Sequence, residues 1–429
     1  MSHIVFASPA ISCYHLQERA RRELLRRGHR VTLLCSDAAA QTFWSTQVAG
    51  VEAIDLAAQP GPRQARRGEP AGDAATRWLE QTRPDLVLFH GRQPGQAAIE
   101  RAVRAAHSPA LWTGKGLLPH TLQVDPGGLD EDASSQRWGA RDFRVVAPDL
   151  PLLEACLAHA LAGQEPLGLP RAPVRTPPAG CRAADAARAV LAGDVAGAWR
   201  AWRGWRAALA PPGLPAPRAI EDPATWTAPF LAVLLQPRAD LRTAHGGPAP
   251  HLTDELLQRS REAADALGLS LVVALPEGAD GARWRRALSR QPRPVVRLLP
   301  PQLAAVAAAT AAAVVTVNHP LAAVALLAGT PVVHTGRALY HLDGVTRRAA
   351  PEALQAAVVD ALRRDRPALR RRFLTWLMRY GHVWCSATHP TFNGMLGLIE
   401  RIERAARASA DARAASHRPG PAWPLAAKA

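Results

Sequence analysis

The residues whose types and spacing suit chemistry gather in the second half of the chain. An apolar run, Val314-Val315-Thr316-Val317, meets Asn318-His319-Pro320, continues through Leu321 to Ala328, and turns back at Gly329-Thr330-Pro331 into Val332-Val333. The pattern predicts a buried strand, an abrupt helix start and a return strand. Pro320 suits the first helical turn, where a missing N–H costs nothing. Free N–H groups and the helix dipole at such a start favour a phosphate. An ordinary strand-helix-strand unit with an asparagine cap satisfies the same pattern. A polar, glycine-containing loop follows, His334-Thr335-Gly336-Arg337-Ala338-Leu339-Tyr340-His341-Leu342-Asp343-Gly344-Val345-Thr346. Arg337 there is suited to pair with a phosphate, and Tyr340 to pack on a base or ribose.

Three further places carry polar residues beside apolar runs. Leu234-Leu235-Gln236-Pro237-Arg238-Ala239-Asp240 leaves a strand and ends on a carboxylate that, by itself, reads as a turn or cap. His90-Gly91-Arg92 follows the apolar run ending at Phe89, and gives either acceptor-side contacts or a surface loop. Gln123 and Asp125 lie in Gly116 to Asp130. Asp125 precedes Pro126-Gly127-Gly128, which fits a turn as well as a substrate contact.

These residues need elements to hold them. Strands at Ile4 to Ser8, Val31 to Cys35, Asp85 to Phe89 and Ala110 to Thr113 alternate with helices at Leu16 to Arg27 and Gly95 to Ala106. A second alternation runs from Phe230 to His334, followed by helices near Pro351 to Arg363, Pro367 to Tyr380 and Thr391 to Ala406. Alternation of this kind implies parallel sheets, whose ligands bind at the carboxyl ends of the strands. The predicted fold is α/β of GT-B type, two Rossmann-like domains facing an inter-domain cleft. The predicted division is 1–165 (acceptor side), 166–225 (Pro-rich linker with one long helix, Ala184 to Leu209), 226–380 (nucleotide-sugar side), 381–408 (C-terminal helix) and 409–429 (disordered tail).

With 429 residues the chain is long enough for two cores. A net charge of +16 favours anionic partners. The arginines are scattered, with no zinc-finger spacing and no RNA-binding aromatic signature, so nucleic acid is not the expected partner. The five cysteines are far apart with no Cys-x-x-Cys, which suits a reducing cytoplasm. The N-terminus reads as a strand rather than a signal peptide. Leu303 to Val333 is interrupted too often to be a span of about 20 residues, so membrane contact is expected to be peripheral. Trp199, Trp202 and Trp205, interleaved with Arg200, Arg203 and Arg206, suit either packing on a domain or an interfacial contact.

Taken together the segments resemble the capsule polysaccharide synthesis family of retaining β-Kdo transferases. There a strand ending in Asn-Ser-Thr leads into a Gly-Leu-Glu-Ala-Leu helix, Gly-x-Pro-Val, and a Gly-Arg-Ala-x-Tyr-Asp-x-x-Gly-Leu-Thr loop. This chain agrees in order and spacing from Val314 through Thr346. Gly116-Leu117-Leu118-Pro119-His120-Thr121-Leu122-Gln123-Val124-Asp125, with Ser134-Ser135 and Phe143 downstream, is similar to Gly-Leu-Leu-Pro-x-Thr-Leu-Gln-x-Asp. Gln236 to Asp240 is similar to the family's Gln-x-x-x-Asp-Ser. The resemblance covers about residues 80 to 400.

It implies a transferase that moves Kdo from CMP-Kdo onto a capsule or lipopolysaccharide-type glycan or glycolipid at the cytoplasmic face of the inner membrane. Asp240 is then the nucleophile of a two-step displacement with retention. Gln236, Asn318, His319, Gly336, Arg337 and Tyr340 face the nucleotide sugar. His90, Arg92, Lys115, Gln123 and Asp125 face the acceptor. No cofactor beyond the CMP-sugar donor and no metal is expected. The chain departs from the family at Gly114-Lys115, where a Glu is usual, at Leu275-Pro276 in place of His-Pro, and at His319-Pro320 in place of Ser-Thr. These departures leave a second expectation: a catalytically impaired or differently specific relative that binds or scaffolds in surface polysaccharide synthesis.

Overall fold

The computed structural model describes residues 1–7, 13–35, 38–48, 52–55, 71–91, 96–162, 226, 228–236, 252–276, 281–282, 284–285, 288, 296–299, 303–387 and 390–414. Asp240, Arg92, the 166–225 linker with its tryptophans, and the tail beyond Ala414 lie outside these.

The first sheet uses β1 (His3–Ala7), β2 (Arg30–Cys35), β3 (Glu52–Asp55), β4 (Leu86–His90), β5 (Ala110–Lys115) and β6 (Leu122–Asp125). Between them run α1 (Tyr14–Arg26), α2 (Ala38–Gln47), α3 (Ala71–Thr82) and α4 (Gln96–Ala105), and α5 (Leu150–Ala162) follows β6. The second sheet uses β7 (Phe230–Leu234), β8 (Ser270–Ala274), β9 (Val296–Leu299), β10 (Ala313–Thr316), β11 (Val332–His334) and β12 (Thr346–Arg348). Its helices are α6 (Leu252–Leu267), α7 (Ala304–Thr310), α8 (Ala322–Ala328), α9 (Leu354–Arg363) and α10 (Pro367–Tyr380). The chain then gives β13 (His382–Val383) and α11 (Phe392–Ala414).

Sequence pattern accounts for these elements. On α1 the buried Leu16, Ala20 and Leu24 recur every fourth residue and form one stripe against the first sheet. The strands β7, β8 and β10 are short apolar runs buried on both faces, as parallel strands covered by helices must be. At the end of α8, Gly329 takes φ +95 and closes the helix, with Thr330 N–H bonded to Ala325 O at 2.8 Å.

The sheet orders are β13-β6-β5-β4-β1-β2-β3 and β12-β11-β10-β7-β8-β9. Pairing is parallel except at β5–β6 and β6–β13. The chain is therefore α/β, built as two Rossmann-like units of GT-B type. In each, the winding reverses beside the first strand, between β1 and β4 and again between β7 and β10. Those are the switch points at which open α/β sheets take ligands.

Both units borrow from each other. Residues Met395 to Ala406 of α11 pack with Ile4, Leu24 and Leu33 in the first unit's core. Leu153, Cys156 and Ala160 of α5, inside the span that sequence gives to the first unit, pack instead with Ala322, Leu326 and Phe373 of the second. The turn of α11 beyond residue 408 is also helical, to Ala414, where Arg413 hydrogen-bonds the Arg83 and Pro84 carbonyls. Cys156 is a buried core thiol pushed up to about 12 by desolvation, and Cys385 likewise to about 11. No helix among the described residues is long and apolar enough to cross a membrane.

Candidate functional site

At the second switch point the residue after β7 meets the residue after β10. Gln236 Nε2 donates to Asn318 Oδ1 at 2.9 Å, and Asn318 N–H donates to Gln236 Oε1 at 3.1 Å. Asn318 Nδ2 then donates to the Arg337 carbonyl at 3.2 Å. One buried amide pair thus ties together the loops that leave β7, β10 and β11. Thr316 adds a second tie: its Oγ1 donates to Leu234 O at 3.0 Å and accepts from His319 N–H at 3.2 Å.

The start of α8 differs from the sequence expectation. The helix begins at Ala322 rather than directly after Asn318, and its entry is spent internally. Leu321 N–H donates to His319 Nδ1 at 3.1 Å. Ala322, Ala323 and Val324 donate to the carbonyls of His319, Pro320 and Leu321. Every N–H from Asn318 to Val324 has a partner within the chain, Pro320 having none to give. The expected anion-binding amides are absent from this conformation, because the His319-Pro320 pair folds the entry into a tight turn of its own.

The loop after β11 is equally self-bonded. Thr335 and Gly336 N–H groups donate to Thr316 O and Val317 O, each at 3.0 Å. His334 Nδ1 donates to Gly336 O at 2.7 Å, which leaves Nε2 as an acceptor, 3.1 Å from His341 Nδ1 and 3.3 Å from Thr346 Oγ1. Burial, reinforced by His341, holds His334 neutral with its pKa pushed down to about 3. His341 stands where the resembling family has an Asp, and desolvation lowers it too. Arg337 presents its side chain to solvent while its carbonyl is clamped. Tyr340, expected to pack on a base or ribose, is fully buried among Leu339, Leu342 and Phe373 and edge-on to His334. No face of its ring is left for a ligand.

The first unit brings His90 to its own switch point, at the end of β4. His90 Nδ1 lies 2.8 Å from Thr113 Oγ1, whose proton goes to Phe89 O at 3.0 Å. The histidine therefore donates from Nδ1 and keeps Nε2 as an acceptor, with burial lowering its pKa to about 4. Lys115 ends β5 and is exposed. Gln123 and Asp125, read as loop residues, lie instead on β6, which runs back antiparallel along β5 so that Asp125 pairs with Trp112. The Asp125 carboxylate is used up locally: Oδ1 accepts from Gly127 N–H at 2.6 Å and Ser134 N–H at 2.8 Å, and Oδ2 accepts from Ser134 Oγ at 2.9 Å. Of its two expected roles the turn is the one present. Gln123 Oε1 accepts from Asp130 N–H at 3.2 Å.

The two units touch at this level. Gln136 Nε2 donates to the Ala338 and Leu339 carbonyls at 3.1 and 3.2 Å, tying the loop after β6 to the Arg337 loop. Beside it Ser135 Oγ and, on β6, Gln123 Nε2 are buried with no hydrogen-bond partner among the described residues. Sequence reasoning passed over Gln136, Thr316, His334 and His341. Thr316 sits inside an apolar run and Gln136 in a polar one, so neither stands out. Asp130-Glu131-Asp132 carries an Asp-x-Asp spacing but forms a single 3-10 turn. Among the described residues no group of three or more His, Cys, Asp or Glu is placed to hold a metal.

No protein-family model and no curated protein matches the chain. Among solved structures it is similar to a β-Kdo 2,4 transferase, KpsC of Thermosulfurimonas dismutans, at 15% identity over 93% of this chain and 99% of that one, with a TM-score of 0.39. The β-Kdo 2,7 transferase of the same organism gives 13% identity over 94% and 99%, with 0.38. MurG of Acinetobacter baumannii gives 12% over 94% and 100%, with 0.35. At such identities and superpositions these are likenesses, and no activity passes from them to this chain.

Proposed function

We propose that the chain is a glycosyltransferase that takes a sugar from a nucleotide donor, with CMP-Kdo as the donor and a capsule or lipopolysaccharide-type glycan or glycolipid as the acceptor. The observation that carries the reading is the Gln236–Asn318–Arg337 clamp. It joins at one switch point two of the segments whose residue order resembles the retaining β-Kdo transferases, Gln236 to Asp240 and Val314 to Thr346, and it fixes the residue from which the chain runs on to Asp240. In the proposed reaction an Asp240 carboxylate oxygen attacks the anomeric carbon of Kdo. The bond to the CMP phosphate oxygen breaks and CMP leaves with the electron pair, its charge met by Arg337. An acceptor hydroxyl then attacks the same carbon and releases its proton to water, the glycosyl ester breaks, and Asp240 is regenerated as a carboxylate. His90, with Nε2 held as an acceptor, suits the acceptor side.

Intact-mass analysis after incubation with CMP-Kdo tests this. A sugar-sized adduct on the wild type and none on Asp240→Asn is expected. A chain that turns over CMP-Kdo with Asp240→Asn intact would sink the nucleophile. A second reading, a relative that binds without turnover, is favoured by Gly114 and by the spent N–H groups before α8. It predicts a higher Tm with CMP-Kdo and no adduct.

A further inference from the structure

We propose that the surface made by the Ala140–Phe143 turn, the segment up to Leu150 and the exposed flank of α10 docks on an anionic phospholipid bilayer. The surface is rigidly built. Phe143 packs edge-on to Phe373 at 5.1 Å, and Trp138 to Trp376 at 4.6 Å, so the turn is nailed to α10 by four aromatic rings. Arg372 donates to the Arg144 carbonyl, Asp149 N–H donates to Thr375 Oγ1 at 3.0 Å, and Arg379 pairs with Asp149.

What this scaffold holds outward is cationic and apolar together. Arg141, Arg144 and Arg371 are exposed. Val145, next to Arg144, is 77% exposed, and Leu150, at the start of α5, is 44% exposed. Asp142 Oδ2 accepts from Gly139 N–H at 2.7 Å and Asp149 holds Arg379, while Glu154, one turn along α5 from Leu150, is exposed. Guanidinium groups match phosphate oxygens in a fork, while exposed aliphatic groups beside arginines enter the headgroup boundary. A soluble polyanion would use the arginines but has no use for Val145 and Leu150. The turn continues from Gln136, which holds the Ala338 and Leu339 carbonyls, so a bilayer on this face lies beside the candidate site. The proposal does not depend on the transfer reaction.

Flotation of the full chain with vesicles tests it. Vesicles rich in phosphatidylglycerol should carry the protein upward and pure phosphatidylcholine should not. Arg141→Gln/Arg144→Gln should lower the bound fraction roughly tenfold, and Val145→Ser should lower it while leaving salt dependence unchanged. Neither change touches a packed side chain, and an unaltered Tm confirms folding. Arg371→Gln, on a different element, serves as the second variant. Binding to anionic vesicles that all these variants retain, as would follow if the Trp199 to Trp205 segment carried it, would overturn the proposal. So would binding to heparin that needs Arg141 and Arg144 without any flotation, which would assign the face to a soluble polymer.

Discussion

Gln236 and Asn318 face each other across the second switch point and exchange two hydrogen bonds, one through side chains and one through a backbone N–H. Both are buried, so neither can fall back on water. Asn318→Ala should therefore lower stability by about 2–3 kcal/mol, because it removes the acceptor of Gln236 Nε2 and the donor to the Arg337 carbonyl, while the backbone N–H to Gln236 Oε1 stays. Urea midpoints check this. Gln236→Glu should cost as much or more, since a carboxylate cannot donate to Asn318 Oδ1.

Arg337→Ala should separate binding from folding. The side chain is exposed, and the bond that ties the three loops together is accepted by the residue's carbonyl. Stability should move by less than about 1 kcal/mol, while CMP affinity measured by calorimetry should fall about tenfold.

Stability should decline on the acid side of neutrality. His90 and His334 have folded pKa values lowered to about 4 and about 3, against an ordinary 6.5. Between those limits the unfolded chain binds protons that the folded chain refuses, so stability is lost as pH falls. From pH 7 to about pH 5 each histidine should remove roughly 2 kcal/mol. His90→Asn should flatten the slope by about half when urea midpoints are compared across that range.

Asp125→Ala should loosen the 127–134 turn and cost about 2–3 kcal/mol, since two N–H groups lose their acceptor. Asp125→Asn keeps Oδ1 and should cost under about 1 kcal/mol. If Asp125 bound substrate directly, Asp125→Asn would lose activity despite its near-native stability.

Gly114 tests the position where the resembling family has Glu. A Cβ there meets Leu129 Cδ1 at 2.7 Å, the far end of a flexible side chain, so Gly114→Ala should cost only about 1 kcal/mol. Gly114→Glu combined with Leu129→Ala makes room for the carboxylate. A rise in turnover of CMP-Kdo would mark the missing Glu as the acid or base, and an unchanged rate would remove it from the mechanism.

Much of the fold could be read from the order of residues. Apolar runs bounded by Gly and Pro mark β1, β2, β4, β5 and β7 to β11 nearly to the residue, and Pro367–Tyr380 appears as expected, whereas the short parallel strands β3 and β12 carry too few apolar residues to stand out. Strand β6 was not seen, although Leu122 and Val124 alternate with Gln123 and Asp125, because the glycines on either side look like loop. The site was legible as a set of segments but not as a set of roles. Asn and Gln advertise hydrogen bonds without saying to whom, and here Gln236 and Asn318 spend them on each other. Tyr340 looks like a stacking residue by type and is a core residue by position. The entry to α8 looked open because nothing in His319-Pro320 announces that Nδ1 of its own histidine will take the Leu321 N–H.

The return of α11 to the first sheet sets an order on how the chain can mature. Ile4 and Leu24 find part of their covering only in Ile399, Ile402 and Ala406. A ribosome must therefore release nearly the whole chain before the first-made half can close, while the upstream parts packed in the second-made half's core, Leu117, Leu118, Ala133, Phe143 and α5, are already made when it emerges. Removal of the last helix should unravel the early sheet and spare the late one, a reversal of the usual gradient in which the beginning of a protein folds first.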